Sequence, residues 1–195
     1  MVNDEKRPDW TRYFMTMAYL AASRSKDEST HAGSIIVRPD NTIVSSGYNS
    51  PIRGMEIEEI PKTRPEKYFY MEHSERNAIF AAAKNEGGLD GCRLYVNFLP
   101  CSDGARAIVQ TGITEVIVHK EGQAAFDEAS GITGGEWDSS HAAALNLFKT
   151  PYARSLKGKS GTTVPFPDQR LSILRWWSGD LWKPIGFFRG KEFNL

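Results

Sequence analysis

Apolar residues recur along this chain with two different periods, and the changes between them divide it into elements. Trp10, Phe14, Met17, Ala18 and Ala21 fall three and four residues apart, which places them on one face of a helix predicted from Pro8 to Ser25. Asp9 stands where a helix N-cap is expected. Ser34-Ile35-Ile36-Val37 and Thr42-Ile43-Val44-Ser45-Ser46 are β-rich runs separated by Arg38-Pro39-Asp40-Asn41, a turn-forming stretch, so together they predict a hairpin. Helical spacing returns from Ser74 to Asn85, with Ala78, Ile79, Ala82 and Ala83 on the apolar face and Gly87-Gly88 as the stop. Leu94 to Leu99 is a continuous run that predicts a buried strand, and Pro100 marks its passage into a helix reaching Thr111 and closed by Gly112. Glu115-Val116-Ile117-Val118-His119 predicts one more strand. The order helix, strand, strand, helix, strand, helix, strand implies a three-layer α/β arrangement whose later βαβ part is parallel.

Between and beyond these elements the pattern weakens. Gly47 to Arg64 mixes glycine, proline and glutamate and predicts a functional or variable loop. Asp138 or Ser139 is expected to cap a helix carrying Ala142, Leu145 and Phe148, after which Ser155 to Thr163 has the composition of a connecting segment. Residues 1–150 are therefore read as one domain and 151–195 as a C-terminal extension. In that extension Leu171, Ile173, Leu174, Trp176, Trp177, Leu181, Trp182, Phe187 and Phe188 stand among Arg170, Arg175, Lys183, Arg189 and Lys191. Aromatic and basic residues so interleaved can stack on nucleic-acid bases. They equally suit a packed flap or a protein interface.

Charge decides between those readings. Twenty-four basic residues balance twenty-four acidic ones across 195 residues. No electrostatic footprint for a polyanion results, and packing or an interface is favoured. No apolar run approaches the roughly 18 to 20 residues that cross a bilayer, and Met1-Val2-Asn3-Asp4-Glu5-Lys6 does not open like a signal peptide. The two cysteines, Cys92 and Cys101, make no disulfide framework. A soluble protein of a reducing, cytoplasmic compartment is expected.

The candidate chemistry lies in two stretches. His73-Ser74-Glu75 offers a metal ligand and an acid/base two residues apart at the N-terminal end of one predicted helix. Cys101 follows Pro100 at the start of another, where the dipole and free amides favour a thiolate. H-x-E followed by P-C-x-x-C is the signature of zinc nucleobase deaminases, in which His and two Cys hold the metal and Glu moves protons without binding it. Here position 104 is glycine. Positions 101 and 104 share a helix face, whereas Asp103 points to nearly the opposite side. Cys92 reads as core, and His31, His119 and His141 remain as other nitrogen donors. Asn49, at a strand end, can donate and accept at once as a base or sugar edge requires, or it can serve as a turn residue.

From Asp9 to about Lys120, and more loosely to Phe148, the chain is similar to the deoxycytidylate deaminase family of the cytidine-deaminase-like superfamily. The resemblance rests on Asp9-Trp10 with Tyr13-Phe14-Met15, Arg24-Ser25-Lys26-Asp27, Gly33-Ser34-Ile35-Ile36-Val37, Gly47-Tyr48-Asn49, His73 to Ile79, Leu99-Pro100-Cys101 and Ala105 to Ile113. It implies a mixed five-stranded sheet with helices on both faces and the hydrolysis of dCMP to dUMP and ammonia. By it His73 and Cys101 are zinc ligands, Glu75 is the catalytic proton carrier, Asn49 holds the nucleotide, and Ser25 and Lys26 anchor a phosphate. It also implies a dCTP or dTTP effector near Gly47-Tyr48-Asn49 and Gly54, and assembly into dimers or hexamers. Ser74 stands where alanine is more usual, and Gly104 where the second cysteine ligand stands. The expected activity is thus zinc-dependent dCMP deamination in pyrimidine deoxynucleotide metabolism, impaired by Gly104. The alternatives are a noncatalytic nucleotide-binding or regulatory relative and an RNA- or DNA-editing deaminase, the last of which requires a basic face that this composition lacks.

Overall fold

The computed structural model describes residues 7–149 except 64, 86 and 131–135, together with 156–157, 163–164, 173–180, 185–188 and 191–194. Helix α1 (Trp10–Ala22) starts at Asp9, whose carboxylate accepts from the backbone N–H groups of Thr11 and Arg12. It ends before the predicted Ser25 because Arg24 and Ser25 donate to carbonyls three residues back, tightening the chain into a turn. The predicted hairpin forms from β1 (Gly33–Val37) and β2 (Ile43–Tyr48), with Asn41 left-handed at φ 71° in its turn.

Strands β3 (Ser50–Pro51) and β4 (Met71–Glu72) pair with each other and bracket two short 3₁₀ helices, Ile57–Glu59 and Glu66–Phe69. The rest of the chain runs through α2 (Ser74–Lys84), β5 (Arg93–Val96), α3 (Ser102–Gln110), β6 (Glu115–His119), α4 (Lys120–Ser130) and α5 (Glu136–Lys149). Gly112 closes α3 in a left-handed conformation, φ 77°. Two differences from the sequence reading stand out. Helix α4, which carries Gly122 and a single large apolar residue, Phe126, lies where the sequence reading placed no helix. Helix α5 begins at Glu136, so Asp138 and Ser139 lie inside its first turn and do not precede it.

The remaining strands come from the tail: β7 (Leu156–Lys157) with β8 (Thr163–Val164), β9 (Ile173–Trp177), and β10 (Ile185–Phe188) with β11 (Lys191–Asn194). The main sheet has five strands in the order β2-β1-β5-β6-β9. Strand β1 is antiparallel to both neighbours, whereas β5, β6 and β9 run parallel. This is the expected mixed sheet, and its fifth strand lies within the Trp-rich extension. Leu171, Leu181 and Trp182 of that extension, and most of the predicted connecting segment, fall outside the described residues.

Alternation along the strands sorts the core into two layers. Ile35, Val37, Tyr95 and Ile117 face α1, where they meet Phe14, Met15 and Ala18. Ile36, Leu94, Val96, Val116 and Val118 face the other way, against Ala78 and Ala82 of α2, Ala105 and Ile108 of α3, and Ala144 and Phe148 of α5. Two glycines set how closely helices approach this sheet. A Cβ on Gly33 would lie 2.0 Å from the Ala18 carbonyl oxygen, and one on Gly47 would lie 2.2 Å from that of Ser74. The second contact seats the start of α2, which carries the candidate site.

Candidate active site

His73 and Cys101 are the N-cap residues of α2 and α3, and neither uses its side chain as a cap. The two helices pack side by side under the same sheet face, which brings residues 28 positions apart into contact: Cys101 Sγ lies 3.4 Å from His73 Nδ1. Glu75, in the first turn of α2, is buried, and its Oε1 lies 3.8 Å from the same nitrogen. The ligand atoms of His73, Glu75 and Cys101 all fall within 4.8 Å of one another, and no other such group that includes His31, His119, His141, Asp103 or Cys92 occurs among the described residues.

Asp103, Cys92 and His119 are engaged elsewhere, whereas His141 lines the same pocket as the cluster without joining it. Asp103 pairs with Arg106 on its own helix and lies 3.9 Å from Arg76, away from the cluster. Cys92 is packed in the core. His119 Nδ1 is 2.7 Å from the Tyr19 hydroxyl. Residues around the cluster hold it in place. Glu72 accepts from the His73 N–H and pairs with Arg76, while Asn77 Nδ2 donates to the Tyr48 carbonyl at 2.8 Å, tying α2 to the end of β2.

Burial alone would lower the His73 imidazolium, but Cys101 and Glu75 beside it raise its pKa from the ordinary 6.5 to about 11. Burial likewise opposes the Glu75 anion, and the adjacent His73 cation holds that carboxyl below its ordinary range all the same. The cluster places an imidazole nitrogen, a sulfur and a carboxylate oxygen around one point, and a divalent metal held there would displace protons from its ligands. Its donor set of one nitrogen, one sulfur and one oxygen is one that zinc accepts. The residues present fit the metal.

The cluster forms the floor of a pocket whose apolar wall includes Met71, Val96, Phe98, Leu99 and Phe126. Phe98 and Phe126 have ring centroids 4.9 Å apart. Asn49 also lines the pocket. Its Oδ1 accepts from Ala32 N–H and its Nδ2 donates to the Thr30 carbonyl, both at 2.8 Å. One N–H and one lone pair of that amide remain, so the turn-holding and ligand-facing readings of Asn49 are compatible.

Ser25 and Lys26 are not brought to this pocket. Ser25 is buried and donates to the Asn49 carbonyl, and Lys26 points into a second cavity, where it pairs with Glu56 at 2.8 Å. A different cation lines the pocket instead. Lys67 Nζ sits 2.8 Å from Asp27 Oδ2 and 3.0 Å from Ser29 Oγ, and all three residues are in the pocket wall. Sequence reasoning passed over Lys67 because it lies in a 3₁₀ turn with no periodicity, 40 residues from the partner that gives it meaning.

Known proteins resemble this chain in the same region. Residues 8–120 match the family described as the cytidine and deoxycytidylate deaminase zinc-binding region. Human deoxycytidylate deaminase is 39% identical over 138 residues, covering 66% of this chain and 76% of the human one. The mouse deoxycytidylate deaminase is 41% identical over 125 residues, covering 60% of this chain and 69% of its own. Among solved structures, the dCMP deaminase of cyanophage S-TIM5 in complex with dCMP and dUMP superimposes with a TM-score of 0.50 at 25% identity. That match covers 63% of this chain and 93% of the phage enzyme.

Proposed function

We propose that this chain, which belongs to the cytidine and deoxycytidylate deaminase family, hydrolyses the exocyclic amine of dCMP to give dUMP and ammonia. The observation that carries this reading is the convergence of His73 Nδ1, Cys101 Sγ and the Glu75 carboxylate on the floor of a pocket with an aromatic wall. His73 and Cys101 would hold zinc. When bound, zinc supplies a water nucleophile at neutral pH. Glu75 is the group able to carry protons: it would take one from the attacking water and pass it to N3 of the base, then take the second from the new C4 hydroxyl and pass it to the departing amine as the C4–N bond breaks. Phe98 and Phe126 offer a flat wall for the ring, and the free N–H and lone pair of Asn49 offer a donor and an acceptor to the nucleotide.

Regulation and assembly belong to the same reading. The second cavity, beside Gly47, Tyr48 and Gly54, gathers Arg24, Lys26 and Arg53, a set suited to the phosphates of a dCTP or dTTP effector. Ile52, Phe69 and Phe80 are apolar and 47%, 79% and 51% exposed, which suits contact between copies of the chain.

A second reading is favoured by one specific residue. Gly104 offers no sulfur where the zinc-deaminase signature has one, and a pocket so altered could bind nucleotide without turning it over. The two readings separate in one assay of zinc-loaded protein with dCMP, following dUMP and ammonia. Turnover that rises on Gly104→Cys supports the deaminase. Saturable dCMP binding with no product, in both the wild-type chain and Gly104→Cys, overturns it in favour of a noncatalytic nucleotide binder.

A further inference from the structure

We propose that Glu75 is the third protein ligand of the zinc in this chain, taking the place of the side chain that position 104 lacks. The proposal rests on reading the pocket as a zinc centre. Gly104 is buried in α3, three residues after Cys101 and on the same helix face. A Cβ built there would lie 2.0 Å from Glu75 Oε1, 2.8 Å from Cδ and 2.9 Å from Cγ. The carboxylate thus occupies the volume from which any side chain at 104 would begin.

The two oxygens of Glu75 have different surroundings. Oε2 accepts from the Ser74 hydroxyl at 3.3 Å, and Ser74 Oγ is in turn 2.8 Å from Ser34 Oγ. Oε1 is buried and has no hydrogen-bond partner. A buried carboxyl oxygen without a donor is costly; His73 Nδ1, at 3.8 Å, is too far to hydrogen-bond it, and a cation shared with that nitrogen and Cys101 Sγ would remove the cost. Tetrahedral zinc bonds of about 2.0–2.3 Å space neighbouring ligand atoms by roughly 3.4–3.6 Å. The structure places Nδ1 3.4 Å from Sγ and 3.8 Å from Oε1. Three protein donors with one position left open is the usual pattern of a catalytic zinc site.

The consequence is a conflict of duties. A carboxylate committed to the metal is withdrawn from proton transfer, so this chain keeps its zinc at the expense of turnover. Cysteine at 104 reverses the arrangement. The atoms it would displace are the end of a flexible side chain and not backbone, so Glu75 can swing toward the pocket while sulfur takes its place.

The test is zinc affinity and zinc content after dialysis against metal-free buffer, for the wild-type chain, Glu75→Ala, Gly104→Cys and the double variant. We expect bound zinc in the wild-type chain and a loss of affinity of roughly 100-fold or more on Glu75→Ala, since even residues outside the ligand shell contribute 10–100-fold. In the Gly104→Cys background the same Glu75→Ala change leaves zinc in place and abolishes only turnover. Glu75→Gln, which preserves volume, should follow Glu75→Ala if ligation and not folding is at issue. Cobalt substitution gives an independent readout, because the thiolate charge-transfer band should intensify when Gly104→Cys adds a second sulfur. A wild-type chain that binds no zinc, or a Glu75→Ala variant that binds it as tightly as wild type, overturns the ligand assignment. A Gly104→Cys protein that holds zinc but leaves dCMP untouched overturns the deaminase reading and leaves the ligand assignment standing.

Discussion

Asp27 and Lys67 are both buried in the pocket wall, within 2.8 Å of each other. Removing one partner of such a pair leaves the other charge without compensation, so Asp27→Asn should cost about 3–5 kcal/mol of stability in urea unfolding. Burial would raise the Asp27 carboxyl, but Lys67 and Ser29 together hold it below its ordinary 3.8. A carboxyl depressed by folding adds stability that is present above its unfolded pKa and is lost as pH falls through the lower folded value. The urea midpoint of the wild-type chain should therefore drop steeply below about pH 4, and that of Asp27→Asn should fall less over the same interval. The contrast between Lys67 and His73 also explains what could be read in advance. His73, Glu75 and Cys101 announce themselves through short-range spacing at helix starts, a local property of the chain. Lys67 acquires its role from a fold that closes a loop of 40 residues, and no local pattern encodes that.

At the scale of elements, the site depends on how deeply two helices settle on the sheet. Gly47→Ala would set a methyl group against the backbone of Ser74 and Ala78, and overpacking of this kind costs about 1–3 kcal/mol. Because α2 must lift at the turn that carries His73 and Glu75, the same substitution should weaken zinc binding. Gly33→Ala makes a comparable clash with Ala18 and Ala22 of α1, on the opposite sheet face. It should destabilise the chain to a similar degree while leaving zinc affinity intact, and paired measurements of urea midpoint and zinc Kd check both halves. The cap of α1 is simpler: Asp9→Ala removes the acceptor for two backbone N–H groups and should cost about 1 kcal/mol. Elements with strong period, such as α1, the β1–β2 hairpin and α2, were legible from residue pattern alone. Helix α4 was not, because alanines, Gly122 and a single phenylalanine leave it short of the large apolar residues that mark a buried helix face. Its place is fixed by tertiary contacts, among them Gln123 Oε1 accepting from Leu99 N–H at 2.6 Å.

Over the whole molecule, the order of strands in the sheet matters as much as their number. Strand β9 pairs in parallel with β6 along Glu115 to His119, and Arg175 adds an ion pair to Glu115 at 2.8 Å. Its aromatic residues invited a reading as flap or interface, since five residues cannot disclose that their partner strand lies more than fifty positions earlier. Removal of residues 151–195 would leave β6 as a bare edge, and exposed edges recruit other chains. Such a truncated protein should show a lower unfolding midpoint and more aggregation by light scattering than the full chain, with zinc retained in whatever fraction stays monomeric. No helix among the described residues is long and apolar enough to cross a membrane.

That arrangement also bears on how the protein is made. Every residue of the metal cluster lies at or before Cys101, while the strand that covers the neighbouring sheet edge begins at Ile173. A chain emerging from the ribosome N-terminus first, at about 5–20 residues per second, will have exposed all its metal ligands several seconds before β9 arrives. During that interval β6 is an open template, so the interval in which the nascent chain is exposed to mispairing is set by translation speed across residues 120–173.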